Sequence, residues 1–364
     1  MSGGLQEFDL TLANPDITDY DNENEDKLMK TTIYDIARLA GVSIATVSKV
    51  FNDKGRISEE TRQRVLQISE ELNYQPNMLA SALTGKKTYT IGLLIPDLVN
   101  PFFAELSRSV EDRAHELGFN VVICNTDNDS DKESKYISLL RQKSVDGIIV
   151  ATGVRNEEPL KELIEQRIPV ALIAREMSSL PASSVVVDDY AGGYSAASYL
   201  IAAGHERIAL IAENLDVSSS KERLRGYIQA LGEAGLSYDE NLVVVSDFSV
   251  QGGKQTALKL LAMDNRPTAI FACNDILAIG AIQAARELGI DVPEQLSVVG
   301  FDNTILATMS DPPMTTVAQP IQEMGHQVVD LITQEINNEK KARQRVVLLP
   351  ELIVRGSSLS RADN

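Results

Sequence analysis

The sequence has 364 residues, of which 43% are hydrophobic, and a formal net charge of −18. This length predicts two or more domains with separate cores. The chain has no run of about 18 apolar residues and its N-terminus is acidic, so we expect neither a membrane-spanning helix nor a secretory signal. Its two cysteines, Cys124 and Cys273, follow apolar runs and are expected to be buried thiols in a reducing cytoplasm.

Residues 1–30 carry eight acidic residues and two lysines, with few side chains that could form a core. We predict that this segment is a disordered acidic extension. It is a solvated tail, the result of an upstream start codon, or a segment that competes with DNA phosphates for the unit that follows. Residues 31–87, by contrast, have a net charge of +2, which indicates where nucleic acid would bind to this acidic chain.

Residues 31–76 have the pattern of a helix-turn-helix domain. Thr32 and Asp35 have the spacing of a capping box at the start of a first helix. Gly41 lies at the turn, where the backbone must be left-handed, and Ser43 is a suitable N-cap for the second helix. One face of the second helix turns inward and the other is short enough to lie in a DNA major groove. The inward residues are Val42, Val47 and Val50, and the outward residues are Ile44, Ala45, Ser48 and Lys49.

A third helix follows, although the turn by itself would also fit an ordinary helical hairpin. Ser58 is the expected N-cap, and two glutamates in the first turn face the positive end of the helix dipole. Val65, Ile68 and Leu72 form its apolar stripe. The three-helix unit is expected to end at residues 73–76.

The pattern Thr-Ile-Tyr-Asp-Ile-Ala, Ala-Gly-Val-Ser, Thr-Val-Ser and Asn runs unbroken from Thr32 to Asn52. With the third helix, it resembles the N-terminal headpiece of the LacI/GalR family of bacterial transcription regulators. The resemblance implies that Ile44, Ala45 and Lys49 face base edges in a double-stranded, palindromic operator. Contacts to the DNA backbone are expected from Thr32, Tyr34, Ser43, Thr46, Ser48, Asn52 and Arg56.

Residues 77–88 are predicted to form a short hinge helix and a linker. Asn77 can cap the helix, Gly85 can end it, and a helix this short needs a packing partner, which in a homodimer is its own copy. The resemblance implies that the hinge lies in the minor groove, where Leu83 holds the position of an apolar wedge between base steps. The alternative is a helix packed on the following domain.

Residues 89–356 alternate between strands and helices, which predicts an α/β fold with parallel sheets covered on both faces. The expected strands are 91–95, 121–124, 147–150, 170–173, 185–187, 208–211, 243–245, 269–272, 297–300, 345–349 and 352–354. The expected helices are 102–117, 132–143, 160–166, 190–203, 221–234, 252–263, 276–288 and 321–337. Residues 357–364 are interpreted as a C-terminal tail.

Two such lobes in series suggest a cleft between the carboxyl ends of two sheets. This part resembles the type I periplasmic sugar-binding fold of the same regulator family, so the resemblance covers residues 31–356. It rests on Asn-Pro-Phe-Phe at residues 100–103, Val-Asp-Gly-Ile-Ile at 145–149 and Val-Val-Gly-Phe-Asp-Asn at 298–303, among others. Residues 124–127 and 300–309 look closest to the branch that includes the degradation activator and the catabolite control proteins, which implies a phosphocarrier protein as a possible corepressor.

An effector such as a sugar presents paired hydroxyl groups, which carboxylates, amides and guanidinium groups bind and an aromatic ring covers. Asn274 and Asp302 match family ligand positions at strand ends, and Asp275 follows the same strand end as Asn274. Arg223 matches the family's effector-binding arginine; strand-end caps or salt bridges between lobes are the alternative roles. Phe102 and Phe103 lie on the rim of the cleft, one in the core and one in the pocket.

One departure from the family concerns the charge of the cleft. Many relatives carry an acid before an arginine where this chain has Ala174-Arg175. This exchange removes a carboxylate and leaves a cation. With Arg223 and Arg225, Arg175 could favour an acidic effector, such as a sugar acid or a phosphorylated sugar.

Two other classes of protein are alternatives to a dimeric cytoplasmic regulator. A solute-binding protein of a sugar transporter would need a signal peptide and no headpiece. A sugar-converting enzyme would need a clustered acid–base set, and the three histidines are scattered without partners at metal spacing. We therefore expect no catalysis, cofactor, metal or membrane.

Overall fold

The computed structural model describes residues 31–51, 55–74, 87–153, 156–177, 179–339 and 342–359. The chain divides into two units, Met1–Ala80 and Ser81–Asn364. The acidic extension, the hinge and three of the expected DNA contacts, Asn52, Asn77 and Leu83, lie outside the described residues.

The elements alternate through the second unit as its apolar runs predict. In chain order they are α1 Ile33–Ala40, α2 Ile44–Phe51, α3 Glu59–Glu71, β1 Thr90–Ile95, α4 Pro101–Glu116, β2 Asn120–Asn125, α5 Ser130–Gln142, β3 Gly147–Val150, α6 Glu158–Glu165, β4 Val170–Ile173, β5 Ser183–Val187, α7 Asp189–Ala202, β6 Ile208–Ala212, α8 Ser218–Glu233, β7 Val243–Val245, α9 Val250–Leu261, β8 Ala269–Ala272, α10 Asp275–Glu287, β9 Ser297–Asp302, α11 Ile305–Met309, β10 Thr315–Ala318, α12 Ile321–Ile336, β11 Arg345–Leu348 and β12 Glu351–Ile353.

The first unit contains the expected three-helix arrangement. The Asp35 carboxylate accepts hydrogen bonds from the backbone N–H and the hydroxyl of Thr32, at 3.1 and 2.7 Å, which fixes the start of α1. Gly41 has φ of 64°, the left-handed conformation that glycine adopts without a steric penalty. The Ser43 hydroxyl accepts from the Thr46 N–H at 3.1 Å and caps α2. The capping and turn residues therefore act as the sequence predicts.

The core of this unit is small. Ile36, Val47 and Val65, one from each helix, are fully buried in a single apolar cluster. Ile68 is only partly buried against it, and Leu72 follows the end of α3 and is 36% exposed. The expected stripe is thus wrong at Leu72, because α3 ends at Glu71 and the side chain falls beyond the last turn.

The second unit has two lobes, each with a six-stranded sheet. The first sheet has the order β11-β5-β4-β3-β1-β2 and is parallel throughout. The second has the order β12-β10-β9-β8-β6-β7 and is parallel except for β12, which runs antiparallel to β10. Helices cover the faces of both sheets, so inner strands such as β3, β4, β6 and β8 are buried as continuous apolar runs. The edge strand β2 has only Cys124 buried.

The sequence suggests two lobes in series, but the structure shows that the chain passes between them three times. The chain crosses from the first sheet to the second after β5, returns after β10 and crosses again between β11 and β12. Helix α12 therefore packs in the first lobe against α4, where Arg113 Nη2 lies 2.8 Å from Asp330 Oδ1. An amphipathic helix shows which face is buried but not which sheet it covers, so its sequence could not reveal this return.

Three smaller features also differ from the expectation. Helix α11 and strand β10 were not predicted, because they are only five and four residues long. Ser357 and Ser358, assigned to a tail, are buried in the second lobe, where Ser357 accepts a hydrogen bond from Thr315 N at 2.8 Å. In the described part of the chain, no helix is long and apolar enough to cross a membrane.

Candidate DNA-binding surface and effector cleft

The outer face of α2 is open in the first unit. Val47 and Val50 anchor the helix in the core, and this orientation turns Ile44, Ala45 and Lys49 outward. Ile44 is 40% exposed although it is a large apolar side chain. With Ala45 and Lys49, it forms an exposed face of mixed apolar and positive character that a DNA major groove could accept.

Most of the expected backbone-contacting residues lie at the surface of the same unit. Tyr34 and Arg56 are exposed, and Thr32 is exposed beside the start of α1. Thr46 and Ser43 bond to each other across the first turn of α2, with their hydroxyl oxygens 2.9 Å apart. Ser48, on α2, is partly buried.

The polar residues of the second unit meet at the carboxyl ends of the strands in both sheets. Arg175 follows β4, Glu213 follows β6, Asn274 follows β8 and Asp302 ends β9. Because parallel strands end at the same edge of their sheet, these side chains converge on the cleft between the lobes.

Arg223, on α8, is the most heavily engaged of these groups. Its Nη2 lies 2.8 Å from Asp189 Oδ1, and its Nη1 lies 3.9 Å from Asp302 Oδ1 and donates to the Cys273 carbonyl. The guanidinium carbon lies 3.5 Å from the centroid of the Phe301 ring. Only 4% of the residue is exposed. Carboxylates neutralise its charge, and the Phe301 ring covers the face of its guanidinium group.

The buried acids beside Arg223 hold protons more readily than exposed ones. Burial raises the pKa of Asp302 well above its ordinary value, and Arg223 opposes that rise. Burial likewise raises the pKa of Asp189 and of Glu213, again against the pull of Arg223. Asp302 also has φ of 109°, a backbone conformation that is strained for a residue with a side chain.

Asn274 and Asp275 are adjacent but face different partners. The Asn274 amide oxygen accepts from Leu277 N at 2.8 Å and caps α10, while its amide nitrogen points to Glu213 Oε1 at 3.4 Å. Asp275 accepts from Thr304 N and Thr304 Oγ1, at 2.7 and 2.9 Å, and from Thr316 Oγ1 at 2.6 Å. Both carboxylate oxygens of Asp275 are thus engaged within the second lobe.

Arg175 has no ion pair among the residues that the structure describes. Burial lowers its pKa, whereas Glu213, Glu133 and Asp189 act against that fall. Its guanidinium carbon would lie 3.1 Å from a Cβ added at Gly153, so the glycine makes room for it. Arg175 therefore faces carboxylates of both lobes without a direct partner.

The other predicted cleft residues separate into core and surface. Phe102 is buried in the core of the first lobe, and Phe103 is partly buried with its ring centroid 5.0 Å from that of Phe102. Arg225 pairs with Glu222 at 2.6 Å and its side chain is 59% exposed, so it adds no charge to the buried cluster around Arg223.

Sequence reasoning missed the acids that neutralise the arginines. Asp189 and Glu213 contribute to the cluster, and in the first lobe the buried Glu133 accepts a hydrogen bond from Thr152. A signal was present for two of them, since Asp189 and Glu213 each follow a predicted strand by two residues, as the recognised Asn274 follows its strand.

Both units of the chain are similar to known protein families. Residues 32–77 match the family described as bacterial regulatory proteins, lacI family, and residues 197–358 match a periplasmic binding protein-like domain. The transcriptional regulator DegA of Bacillus subtilis is 52% identical over 333 residues, which cover 91% of this chain and 98% of DegA.

Solved structures agree with this. The lac repressor dimer bound to operator and an anti-inducer has a TM-score of 0.81 at 28% identity, over 90% of this chain and 99% of that one. A complex of the regulator CelR with cellobiose has a TM-score of 0.70 at 33% identity, with the same coverage. The protein described here belongs to the LacI family of bacterial transcription regulators.

Proposed function

We propose that this regulator acts in the cytoplasm and binds a palindromic operator as a homodimer through the outer face of α2. A small molecule bound between the lobes changes its affinity for that operator. The open face of α2, which exposes Ile44 beside Lys49, is the observation that carries the DNA-binding part. The headpiece in residues 32–77 favours a regulator over a solute-binding protein of a transporter.

Within the headpiece we assign base contacts to Ile44, Ala45 and Lys49. The two apolar side chains suit thymine methyl groups, whereas the lysine can donate to guanine acceptors. Contacts to phosphates then come from the exposed residues around α2, and the hinge contacts of Asn77 and Leu83 stay predictions from the resemblance.

Replacing Lys49 with alanine should weaken binding to the selected operator by about 5- to 150-fold, because a base contact of this kind contributes about 1 to 3 kcal/mol. The operator is first obtained by selection from random duplex DNA, and affinities are then measured at one fixed salt concentration. Arg64→Ala, on the exposed side of α3, removes the same charge and is the control. Equal losses for the two variants would show that only overall charge matters.

For the effector we propose a neutral, polyhydroxylated sugar rather than the acidic one that the sequence suggested. Two guanidinium groups, Arg175 and Arg223, meet three carboxylates, Asp189, Glu213 and Asp302, with Glu133 close to Arg175. Arg225 forms an exposed ion pair with Glu222 and adds no charge to this group. The cleft thus offers more acceptors than unpaired cations, which suits hydroxyl donors.

Calorimetric titration with matched pairs of ligands tests this assignment. Each neutral sugar, such as glucose, galactose or cellobiose, is compared with its own uronate, aldonate or phosphate ester. We expect each neutral ligand that binds to bind at least about ten-fold more tightly than its acidic counterpart, because the carboxylates repel an anion. An acidic ligand that binds more tightly than its neutral partner would restore the earlier hypothesis.

A phosphocarrier protein as corepressor is a further proposal, which rests on the resemblance to the catabolite control branch alone. The direction of control, induction or corepression, follows from measuring operator affinity with and without the bound sugar.

A further inference from the structure

Helix α11 begins without a capping side chain of its own. Thr304 precedes it, but the Thr304 amide and hydroxyl both donate to Asp275. The next amide, of Ile305, donates to Glu105 Oε1 at 3.1 Å. Glu105 lies on α4 of the first lobe, 200 positions away in the sequence, so a carboxylate of one lobe caps a helix of the other.

This contact is three residues from the effector cleft, and the intervening residues are held in place. Asp302 accepts from Gln319 Nε2 at 2.7 Å, beside the second crossover between the lobes. Asn303 has φ of 59° and accepts from Arg355 Nη2 at 2.6 Å. Thr304 is 3% exposed. Asp302, Asn303 and Thr304 thus link the cleft to the Ile305 amide through consecutive residues that are each held by hydrogen bonds or burial.

We propose that Glu105 is a positioning residue that sets the separation of the lobes, and through it the coupling between effector and operator. The reason is geometric: the Ile305 amide can reach Glu105 only when the lobes have about the spacing seen here. A contact present in one arrangement of the lobes and absent from another shifts the balance between them. The regulatory part of this proposal rests on the proposed function, whereas the effect on lobe spacing does not.

The contact is charge-assisted and lies at the positive end of a helix, but Ile305 is more than half exposed to solvent. We therefore expect loss of the contact between Glu105 and Ile305 to lower the proportion of protein with the lobe spacing seen here, relative to protein with a wider spacing, by about 3- to 10-fold. This is a typical effect for a capping side chain. A glutamine keeps an acceptor oxygen at the same reach, so Glu105→Gln should retain most of the contact, whereas Glu105→Ala should lose it.

The test measures the distance between the lobes directly. Spin labels are placed at Lys135→Cys on α5 and Lys221→Cys on α8, two exposed positions in different lobes. The native cysteines are buried and react poorly. Labelled full-length protein is diluted with unlabelled protein so that pulsed electron resonance reports distances within one chain, without DNA or sugar.

Glu105→Ala should lengthen or broaden the distance distribution, and Glu105→Gln should stay close to the parent. Asp112→Ala is the matched control, because Asp112 is an exposed acid of the same helix whose carboxylate lies 3.5 Å from Arg108. A distribution for Glu105→Ala that equals the parent, or that Asp112→Ala reproduces, would overturn the proposal.

A second measurement separates this inference from the function on which its regulatory part rests. The operator affinity of each variant is compared with and without the sugar that binds in the calorimetric test. A changed distance with an unchanged response to sugar would retain Glu105 as a spacer but overturn its role in coupling. If the unaltered protein does not bind the operator, the proposed function is contradicted. The result on the distance between the lobes is unaffected by that outcome.

Discussion

Replacing Arg223 with methionine is expected to lower the free energy of unfolding by about 3 to 5 kcal/mol, because it removes one partner from a buried ionic cluster. Asp189 loses an ion pair at 2.8 Å, and Asp302 loses the cation that opposes its high pKa. Chemical denaturation measures the loss, and the same variant should no longer bind the sugar that the parent binds.

The pH dependence of this variant identifies the cause. Without Arg223, the pKa of Asp189 and of Asp302 in the folded state rises further above the unfolded value, so the penalty is largest where both are ionised. As pH falls through those raised values the acids take up protons, and the deficit relative to the parent should shrink. A deficit that does not shrink as the pH is lowered would indicate lost packing on Phe301 instead.

Two further variants act as controls for Arg223. Arg225→Met, two residues along the same helix, removes an exposed ion pair and should cost less than about 1 kcal/mol. Arg223→Lys keeps a positive charge but cannot present a planar fork to Asp189 and the Cys273 carbonyl, so its stability should lie between those of the parent and the methionine variant.

Replacing Gly226 with alanine should destabilise the second lobe by about 3 kcal/mol, as overpacking at a close helix contact does. An added Cβ would overlap the backbone oxygen of Tyr190 and lie 2.5 Å from the backbone nitrogen of Tyr194. Backbone atoms cannot turn aside, so α7 and α8 would have to separate. Arg223 lies on α8 and Asp189 on α7, so the separation should also weaken sugar binding.

The same helix supplies the matched control. Gly232 has no atom within 4 Å of an added Cβ. Gly232→Ala should therefore be neutral or stabilising by up to about 1 kcal/mol, since alanine restricts the unfolded chain more than glycine does. Both variants are measured by thermal and chemical denaturation, and an equal loss at the two positions would contradict the packing explanation.

The headpiece shows how far local rules lead. Thr32, Asp35, Gly41 and Ser43 act where their spacing predicts, because caps and turns involve neighbours in the sequence. The stripe of α3 is less well predicted, because the burial of Leu72 depends on where the helix ends and on what the other helices leave uncovered.

In the cleft, the family resemblance indicated Arg223 on its helix, and Asn274 and Asp302 at strand ends, as effector-binding residues. The resemblance did not reveal the overall charge of the cleft. The charge depends on Asp189 and Glu213, which are distant from one another in the sequence and meet only after the sheets form. This is why three arginines suggested an acidic effector in the sequence, whereas the acids around them lead us to propose a neutral one.

The sequence by itself determined the kind and order of all but the shortest elements, because helical and strand periodicity and capping chemistry are local properties. Its motifs also indicated the family. The tertiary structure alone decided that α12 and β11 return to the first lobe, that Arg225 faces solvent, and that Glu105 reaches Ile305. Each of these depends on two segments far apart in the chain, and their contact is decided by the packing of whole sheets and helices rather than by either segment.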